Sequence, residues 1–318
     1  MAKKGWLVND ALTCIKDTRT LWHDLLDWIP SLEDKTGGRT DFSVLAQTIE
    51  SQALINPPDY ILRNATFFRP MHIPAKTISF LQDSYPAPGN AVQIQVCNAS
   101  DAVIFNSPFT RAIYEPQLDP KIPKFTISIG TDFDLFKPMD KEACRQEMGI
   151  LPNSILFVGD SSFHPKGFDL VKDIINDSNF NFCLVMKDNF SINNERIKTF
   201  NRVSHAQLVK IYNACEMLIC TSVVETLHLS GIEAAACGLP IVAPNIGIYY
   251  REGHDAGMWE NVWGLTVPRD VQSYKAAIVA IRENMTRHNP RQFFLDSKLD
   301  LNGVKHNWIN TIKDIVGE

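Results

Sequence analysis

One stretch of the sequence, residues 217–243, limits the possible fold of this chain more than any other. It opens with a short apolar run, Met217–Cys220, of the kind found in buried parallel strands. A polar connection leads to the small, apolar segment Leu229–Cys237, which is predicted to be a helix because a glycine and a proline follow it at once. Ile241–Ala243 then predicts another strand. Strands and helices alternate in this way along the whole chain, which predicts an α/β fold with parallel sheets.

Two carboxylates lie within this stretch, Glu225 in the loop and Glu233 inside the predicted helix. The neighbours of Glu233 are alanines and an isoleucine, so its side chain is expected on or near an apolar face, where an unpaired carboxylate is rare. It could hold the two hydroxyls of a ribose, while the free N–H groups at the helix start bind phosphate. A structural carboxylate in an ordinary helix is an equally good interpretation of the stretch taken alone.

The spacing of seven residues between Glu225 and Glu233, the small-residue helix and the Gly-x-Pro that ends it resemble the signature of retaining GT-B glycosyltransferases. Within them the stretch is similar to the family-four proteins, glycosyl transferases group 1. The resemblance implies two doubly wound, Rossmann-like domains that face each other across a cleft. It also implies transfer of a sugar from a UDP- or GDP-linked donor with retention at the anomeric carbon. Glu225 would then lie at the donor sugar and Glu233 at the ribose, with Leu229 and Ser230 in the donor site.

A second part of the resemblance covers the predicted strand Ser154–Gly159, with Gly159 as a donor contact, and the turn after it. The family has an arginine directly after this strand and a Lys-Gly pair further on, and both cations hold the donor diphosphate. Lys166 and Gly167 match the pair, but Asp160 replaces the arginine, so Lys166 is predicted to hold the diphosphate almost alone. Asp160 either has a compensating cation or points away. A solvated lysine is the plainer interpretation of Lys166, although a cation at a helix start is mildly unfavourable.

Two further positions belong to the predicted donor site. The backbone around Val203 matches the place where the family holds the nucleobase, and Ser204 is a plausible helix N-cap. His228 occupies a position that is usually glycine in the family. It could bind sugar or phosphate, or it could be a neutral substitution; its place between the two glutamates favours a catalytic role together with Glu225.

The first half of the chain offers an acceptor side. The predicted strand Lys76–Asp83 ends in polar residues, and ligands of parallel sheets gather beyond such strand ends. The family has His-Asp here: Asp83 matches and is a catalytic candidate, whereas Gln82 replaces the histidine and is a possible acceptor contact. Gly37 and Gly38 could bring backbone close to a sugar, although most such pairs are simply turns.

The domain boundary is predicted near Phe136, because Phe125–Asp132 and Phe136–Pro138 resemble the link between the two domains of the family. Residues 1–136 would form the first domain and residues 137–300 the nucleotide-sugar domain. A helix at about 301–318 is predicted to pack back on the first domain.

Composition excludes several other classes. A net charge of −5 argues against a polyanion as the main partner. The seven cysteines lack a Cys-x-x-Cys pair and indicate buried thiols in a reducing, cytoplasmic setting. The basic and apolar start is too short for a signal peptide, and no stretch approaches the ~18 apolar residues of a membrane helix. No His/Cys cluster has the spacing of metal ligands, and we expect no metal and no cofactor besides the donor.

The acceptor stays open among a glycan, a lipid, a small molecule and a modified DNA base. Two other functions are also open. An epimerase or phosphorylase could use the same fold, and a non-catalytic sugar-nucleotide-binding module is suggested by Asp160, Gln82 and the short first half.

Overall fold

The computed structural model describes residues 2–8, 21–35, 42–64, 69–83, 90–254 and 257–318. The chain divides into two compact units, the first comprising Met1–Gly130 with Asn302–Glu318 and the second Thr131–Leu301.

The first unit contains a parallel sheet with the strand order β2-β1-β3-β4-β5-β6. Its elements in chain order are β1 (Gly5–Val8), α1 (Leu21–Trp28), β2 (Leu32–Asp34), α2 (Phe42–Ile55), β3 (Tyr60–Asn64), β4 (Lys76–Leu81), α3 (Asn90–Asn98), β5 (Ala102–Phe105), α4 (Pro108–Tyr114) and β6 (Lys124–Thr126). The order places the reversal of chain direction beside β1, as in flavodoxin-like sheets.

The second unit contains a seven-stranded sheet with the order β12-β13-β11-β10-β7-β8-β9, parallel except for β12. Its elements in chain order are α5 (Lys141–Met148), β7 (Ser154–Gly159), α6 (Phe168–Asn176), β8 (Asn181–Met186), β9 (Ile197–Asn201), α7 (His205–Ala214), β10 (Met217–Ile219), α8 (Leu229–Ala236), β11 (Ile241–Ala243), β12 (Trp259–Asn261), β13 (Gly264–Thr266), α9 (Val271–Glu283) and α10 (Pro290–Asp296). Without β12 this is the Rossmann order, in which the sheet changes direction between β7 and β10.

Alternate residues of the strands in the first sheet point to opposite faces. Both faces therefore carry apolar side chains, and each packs against helices. Leu7 of β1 belongs to an apolar core with α1, whereas its neighbours Trp6 and Val8 belong to a core with α2. A last helix, α11 (Leu301–Val316), adds its apolar face to the α1 side of the sheet. The second sheet is likewise packed against α6 and α9 in one large apolar core. The prediction of an α/β chain with two doubly wound parallel sheets is confirmed.

The division between the units falls at Thr131, a little before the boundary predicted at Phe136. The intervening segment is tied to the second unit by one arginine. Arg291 of α10 donates to the carbonyl oxygens of Phe133 and Phe136, at 3.1 and 2.9 Å, and both aromatic side chains are buried. Two buried rings and a half-buried guanidinium therefore fix the start of the second unit.

Candidate functional site

The candidate donor site lies in the second unit, where the order of its strands reverses. A ligand of a Rossmann-type sheet binds beyond the carboxyl ends of the two strands that flank this point. Here those strands are β7 and β10, and the loops that follow them contain Lys166 and Glu225. The topology thus brings together two side chains that are 59 residues apart in the sequence.

These two loops are held against each other by backbone contacts. Gly167 has a left-handed backbone with φ +68°, and a Cβ atom there would lie 2.0 Å from the carbonyl oxygen of Thr221. In return the Thr221 hydroxyl donates to the carbonyl oxygen of Lys166 at 3.1 Å, and Val223 N–H donates to that of Pro165 at 2.9 Å. Arg269 donates to the Thr221 carbonyl at 2.9 Å. Only glycine permits this approach, so Gly167 is required for the geometry of the site.

Lys166 and Glu225 form an ion pair with 2.8 Å between Nζ and Oε2. Ser222 also donates to Oε2 at 3.1 Å. Burial opposes ionisation of Glu225, but the charge of Lys166 and the hydrogen bonds from Lys166 and the Ser222 hydroxyl favour it, and the net effect lowers the pKa of the carboxyl below its ordinary value. Glu225 is therefore an anion at neutral pH, and half-buried Lys166 is its counter-ion.

Asp160, which replaces the expected arginine, is engaged by its own loop. Its Oδ1 accepts from the backbone N–H and hydroxyl of Ser162 at 2.9 and 2.7 Å, and from Phe163 N–H at 3.1 Å. These donors hold the pKa of Asp160 below its usual value. The Asp160 carboxylate thus structures its own loop, and the charge of Lys187 also favours its ionised form.

A pocket of about 660 Å³ opens beside this loop at the carboxyl ends of β7, β8 and β9. Four of the predicted residues line it: Gly159, Lys166, Val203 and Ser230. The other lining residues are Val158, Asp160, Ser162, Phe163, Val185, Met186, Lys187, Arg202, His205 and Leu208. A volume of this size suits a small-molecule ligand.

Two cations in this lining, Lys187 and Arg202, were not predicted. The strand register pairs Gly159 with Met186 and Met186 with Asn201, so the residues that follow these positions share one edge of the sheet. The strand-end rule that pointed to Gln82 and Asp83 after β4 would have found both side chains at the ends of β8 and β9. Lys166 was predicted to hold the diphosphate almost alone. The pocket wall contains two further cations, Lys187 and Arg202, that this prediction did not include.

Glu233 lies half-buried on α8, and a hydrogen bond connects its side chain to Tyr212 of α7. The Tyr212 hydroxyl donates to Oε2 of Glu233 at 2.8 Å. Burial raises the pKa of Glu233 to about 7, although the Tyr212 hydrogen bond lowers it. The carboxyl group is therefore poised between its two protonation states near neutral pH.

His228 is the residue directly before α8, and its ring is buried. Its backbone is left-handed, with φ +75°, which explains in physical terms why a glycine would suit this position. Nδ1 lies 2.8 Å from the hydroxyl of Tyr249, and the two rings meet edge to face. Leu229, the first residue of α8, is 42% exposed. Tyr249 was not predicted, and no regular spacing in the sequence points to it.

The predicted acceptor-side residues belong to the first unit and are described by themselves. Gln82 and Asp83 follow β4 and are half-buried. Their carbonyl oxygens accept from Asn106 and Gln93 at 3.0 and 3.3 Å, and burial raises the pKa of the Asp83 carboxyl. The Gly37-Gly38 pair lies outside the described residues.

Within the described ranges, no group of three or more His, Cys, Asp or Glu side chains is arranged to hold a metal ion. No helix in that same part of the chain is both long and apolar enough to span a membrane.

Comparison with known sequences gives two kinds of match. Residues 152–284 match the family model described as glycosyl transferases group 1. The D-inositol 3-phosphate glycosyltransferase of Mycobacterium sp. (strain KMS) is 27% identical in an alignment of 180 residues, with 47% of this chain and 40% of that protein covered. The enzyme of the same name from Segniliparus rotundus is 28% identical in an alignment of 182 residues, with 49% of this chain and 39% of that protein covered. The chain thus matches about two fifths of the length of these relatives.

Solved structures resemble the whole chain. Sucrose-phosphate synthase from Thermosynechococcus elongatus has a TM-score of 0.75 at 13% identity, with 99% of this chain and 100% of that chain covered. The Anabaena protein HepE in complex with UDP-glucose has a TM-score of 0.70 at 16% identity, with 98% and 99% covered. A glycosyltransferase from Rickettsia africae has a TM-score of 0.68 at 14% identity, with 99% of each chain covered. At these identities the likeness is one of fold.

Proposed function

We propose a nucleotide-sugar-dependent transferase, because residues 152–284 match glycosyl transferases group 1 and the chain has the GT-B fold. In this proposal the chain moves a sugar from a UDP- or GDP-linked donor to an acceptor, with retention of the anomeric configuration. The observation that carries the proposal is the pocket beside the strand-order reversal, with Lys166 in its wall and Glu225 paired to that lysine.

The pocket offers suitable surfaces for each part of a donor. Val185, Met186 and Leu208 give an apolar wall for a flat nucleobase, beside the backbone of Val203. Lys166 supplies positive charge for the diphosphate. HepE, one of the structures similar in fold, binds UDP-glucose, which supports a nucleotide sugar as the ligand here.

Binding of a diphosphate would change the partner of Lys166. In the free protein this lysine neutralises Glu225, and a bound diphosphate would compete for the same ammonium group. Glu225 would then lose part of its neutralisation and would be available to the donor sugar, on which positive charge develops as the bond to phosphate breaks. We therefore assign Lys166 to the diphosphate, Glu225 to the sugar and Glu233 to the ribose hydroxyls.

The transfer needs no external base in this scheme. The bond between the anomeric carbon and the phosphate oxygen breaks while the acceptor oxygen bonds to that carbon on the same face. The acceptor proton passes to the leaving phosphate oxygen, so that atoms and charge balance. Charge on the phosphate is neutralised by Lys166 and by the start of α8. We also propose that no divalent metal takes part, and that the protein works in a reducing, cytoplasmic setting, since the six described cysteines are buried free thiols.

Calorimetric titration with UDP and GDP tests the donor site. We expect Lys166→Ala to weaken binding of the cognate nucleotide by more than tenfold, because the variant removes a charge opposite the phosphates. Lys172→Ala is the matched control: it removes a lysine that pairs with Asp169 on the surface of α6. A change of less than about twofold, under roughly 0.5 kcal/mol, for Lys166→Ala would show that the phosphate site lies elsewhere.

Turnover distinguishes the alternatives. UDP-glucose and GDP-mannose are incubated with candidate acceptors, with and without excess EDTA, and NMR records the sugar products. Transfer with retained configuration in EDTA supports the proposal, and loss that manganese or magnesium restores contradicts its metal-free part. A changed sugar without an acceptor would indicate an epimerase, and phosphate-dependent cleavage a phosphorylase. Binding without any turnover would indicate a binding module.

A further inference from the structure

We infer that Tyr249 is a positioning residue whose hydroxyl fixes His228 in the tautomer that carries its proton on Nε2. In this form His228 is a neutral hydrogen-bond donor for the junction between the phosphate and the sugar of the bound donor. The substrate part of the inference rests on the proposed function, whereas the tautomer follows from the contacts of the free protein.

The two side chains are held in place by their surroundings. Tyr249 is 2% exposed and His228 4% exposed, and Nδ1 and the hydroxyl are 2.8 Å apart. The Tyr249 ring packs against Trp263 with 4.7 Å between centroids. Gly231 of α8 leaves room for the hydroxyl, because a Cβ atom there would lie only 1.8 Å from it. The contact is therefore built into the packing of α8.

The direction of the hydrogen bond follows from the donors and acceptors that are present. A tyrosine hydroxyl has one proton to donate, and buried donors are almost always paired. Among the residues that the structure describes, Nδ1 of His228 is the hydrogen-bond partner of the Tyr249 hydroxyl. If Nδ1 carried a proton, it would donate to the hydroxyl, and the hydroxyl proton would be left without an acceptor. Nδ1 is therefore the acceptor, and the ring proton is on Nε2.

The electrostatic surroundings keep the ring neutral. Burial lowers the pKa of His228 to about 4; Glu225 raises it and Lys166 lowers it further. Burial also raises the pKa of Tyr249 well above its ordinary value, as do Cys220 and Glu225. The titratable neighbours of the pair are Glu225, Lys166 and Cys220, together with Tyr212, whose pKa the Tyr249 hydroxyl raises. At neutral pH the hydroxyl keeps its proton and the imidazole stays uncharged.

The backbone at His228 indicates a function beyond packing. A histidine in the left-handed region is uncommon, and such positions concentrate at functional sites when the surroundings enforce them. His228 stands between Glu225 and Ser230, which lines the pocket. A neutral imidazole N–H can stabilise negative charge that develops on a leaving phosphate, and its protonation does not change with pH in the working range.

Nuclear magnetic resonance can read the tautomer directly. The protein is labelled with 15N-histidine, and long-range 1H–15N spectra are recorded between pH 5.5 and 8.5. His228→Asn identifies the ring by loss of one of eight histidine patterns, since asparagine tolerates left-handed backbone. We expect the Nε2–H pattern throughout in the wild type and a mixture of tautomers in Tyr249→Phe. An Nδ1–H pattern in the wild type, or an unchanged pattern in Tyr249→Phe, overturns the inference.

Kinetics with UDP-glucose as the probe test the role in turnover. We expect Tyr249→Phe to lower kcat on the order of 10–100-fold with KM within about twofold, and to shift the acid limb of the pH profile upward. Tyr274→Phe is the control, because it removes a buried tyrosine hydrogen bond to the Cys220 carbonyl and leaves His228 untouched. An unchanged kcat and pH profile in Tyr249→Phe contradicts the role. The Nε2–H pattern without binding of UDP-glucose or GDP-mannose would contradict the proposed function and uphold the tautomer.

Discussion

Gly167 shows how one residue can set the distance between two loops of a site. A side chain there would meet the Thr221 carbonyl, a backbone group that cannot rotate away. The contact explains why the glycine follows Lys166 directly: the approach of the two loops and the position of the lysine are fixed together.

We predict that Gly167→Ala destabilises the protein by more than the left-handed backbone alone requires. Gly253→Ala is the matched control, because its φ of +79° is similar but no atom lies within 4 Å of its Cβ position. The control should lose about 1–2 kcal/mol in denaturant titrations, and Gly167→Ala clearly more. Equal losses of unfolding free energy in the two variants would mean that the two loops can move apart without a loss of stability.

Glu233 makes the stability of the protein depend on pH. Its pKa is about 7 in the folded state against 4.5 ordinarily, so the folded state holds the proton more tightly. The stabilisation is complete below about pH 4.5 and is lost as pH rises towards 7. We predict that the wild type loses about 1–3 kcal/mol more unfolding free energy than Glu233→Gln between pH 5 and 8. Parallel curves for the two proteins would remove Glu233 as the cause.

The residues of the site differ in how far the sequence reveals them. Glu225 and Glu233 are recognisable from their spacing, and Lys166 from the glycine beside it. Lys187 and Arg202 could have been found from strand ends. Tyr249 could not, because its contact with His228 depends on the packing of α8 and on the space left by Gly231. No local pattern records such a contact.

Among the elements, α7 positions the backbone of Val203. Its N-terminus has a capping box, in which Ser204 accepts from the backbone of Gln207 and the Gln207 side chain accepts from the backbone of Ser204. These bonds fix the chain direction immediately after Val203, where the nucleobase is proposed to bind.

We predict that Ser204→Ala lowers both stability and nucleotide affinity. Loss of the cap should cost about 1 kcal/mol of unfolding free energy and weaken UDP or GDP binding severalfold. Asp270→Ala removes a comparable cap from α9, where Asp270 accepts from the backbone of Ser273. Asp270→Ala should lower the unfolding free energy by a similar amount and leave the nucleotide affinity unchanged. Equal nucleotide affinities for the two variants would show that the N-terminus of α7 does not position the nucleobase.

Most elements were predictable because they carry continuous apolar runs, as in Ser154–Gly159 and Ile241–Ala243, which the structure reproduces residue for residue. The exceptions are strands with few buried side chains. β2 has one buried residue of three, and β9 has none. Such strands are held by their neighbours in the sheet, so their own sequence gives little indication of them.

At the scale of the whole molecule, the first unit is assembled from two distant parts of the chain. Trp308 of α11 is fully buried and meets Phe80 of β4 with 5.0 Å between ring centroids; Phe80 in turn contacts Trp22 of α1. A helix near the end of the chain therefore completes the core around β1, β3 and β4.

We predict that Trp308→Ala lowers the unfolding free energy of the first unit by about 3–5 kcal/mol, because it leaves a cavity in the core of that unit. Hydrogen exchange followed by mass spectrometry should show faster exchange in β1, β3, β4 and α11. Exchange in β7, β8 and β10 of the second unit should be the same as in the wild type. The affinity for UDP or GDP should also be unchanged. Faster exchange throughout both sheets would mean that the units unfold together.

The return of α11 also sets an order of events during synthesis. Every residue of the second unit leaves the ribosome before α11 does, so that unit can close its sheet while the chain is still growing. The first unit is begun earlier but lacks Val304, Trp308 and Ile312 until translation has passed them. The α1 side of its sheet therefore lacks the cover of α11 while the second unit is being synthesised. The core of the first unit can therefore be completed only after the second unit has been translated, whereas domains usually fold in the order of their synthesis.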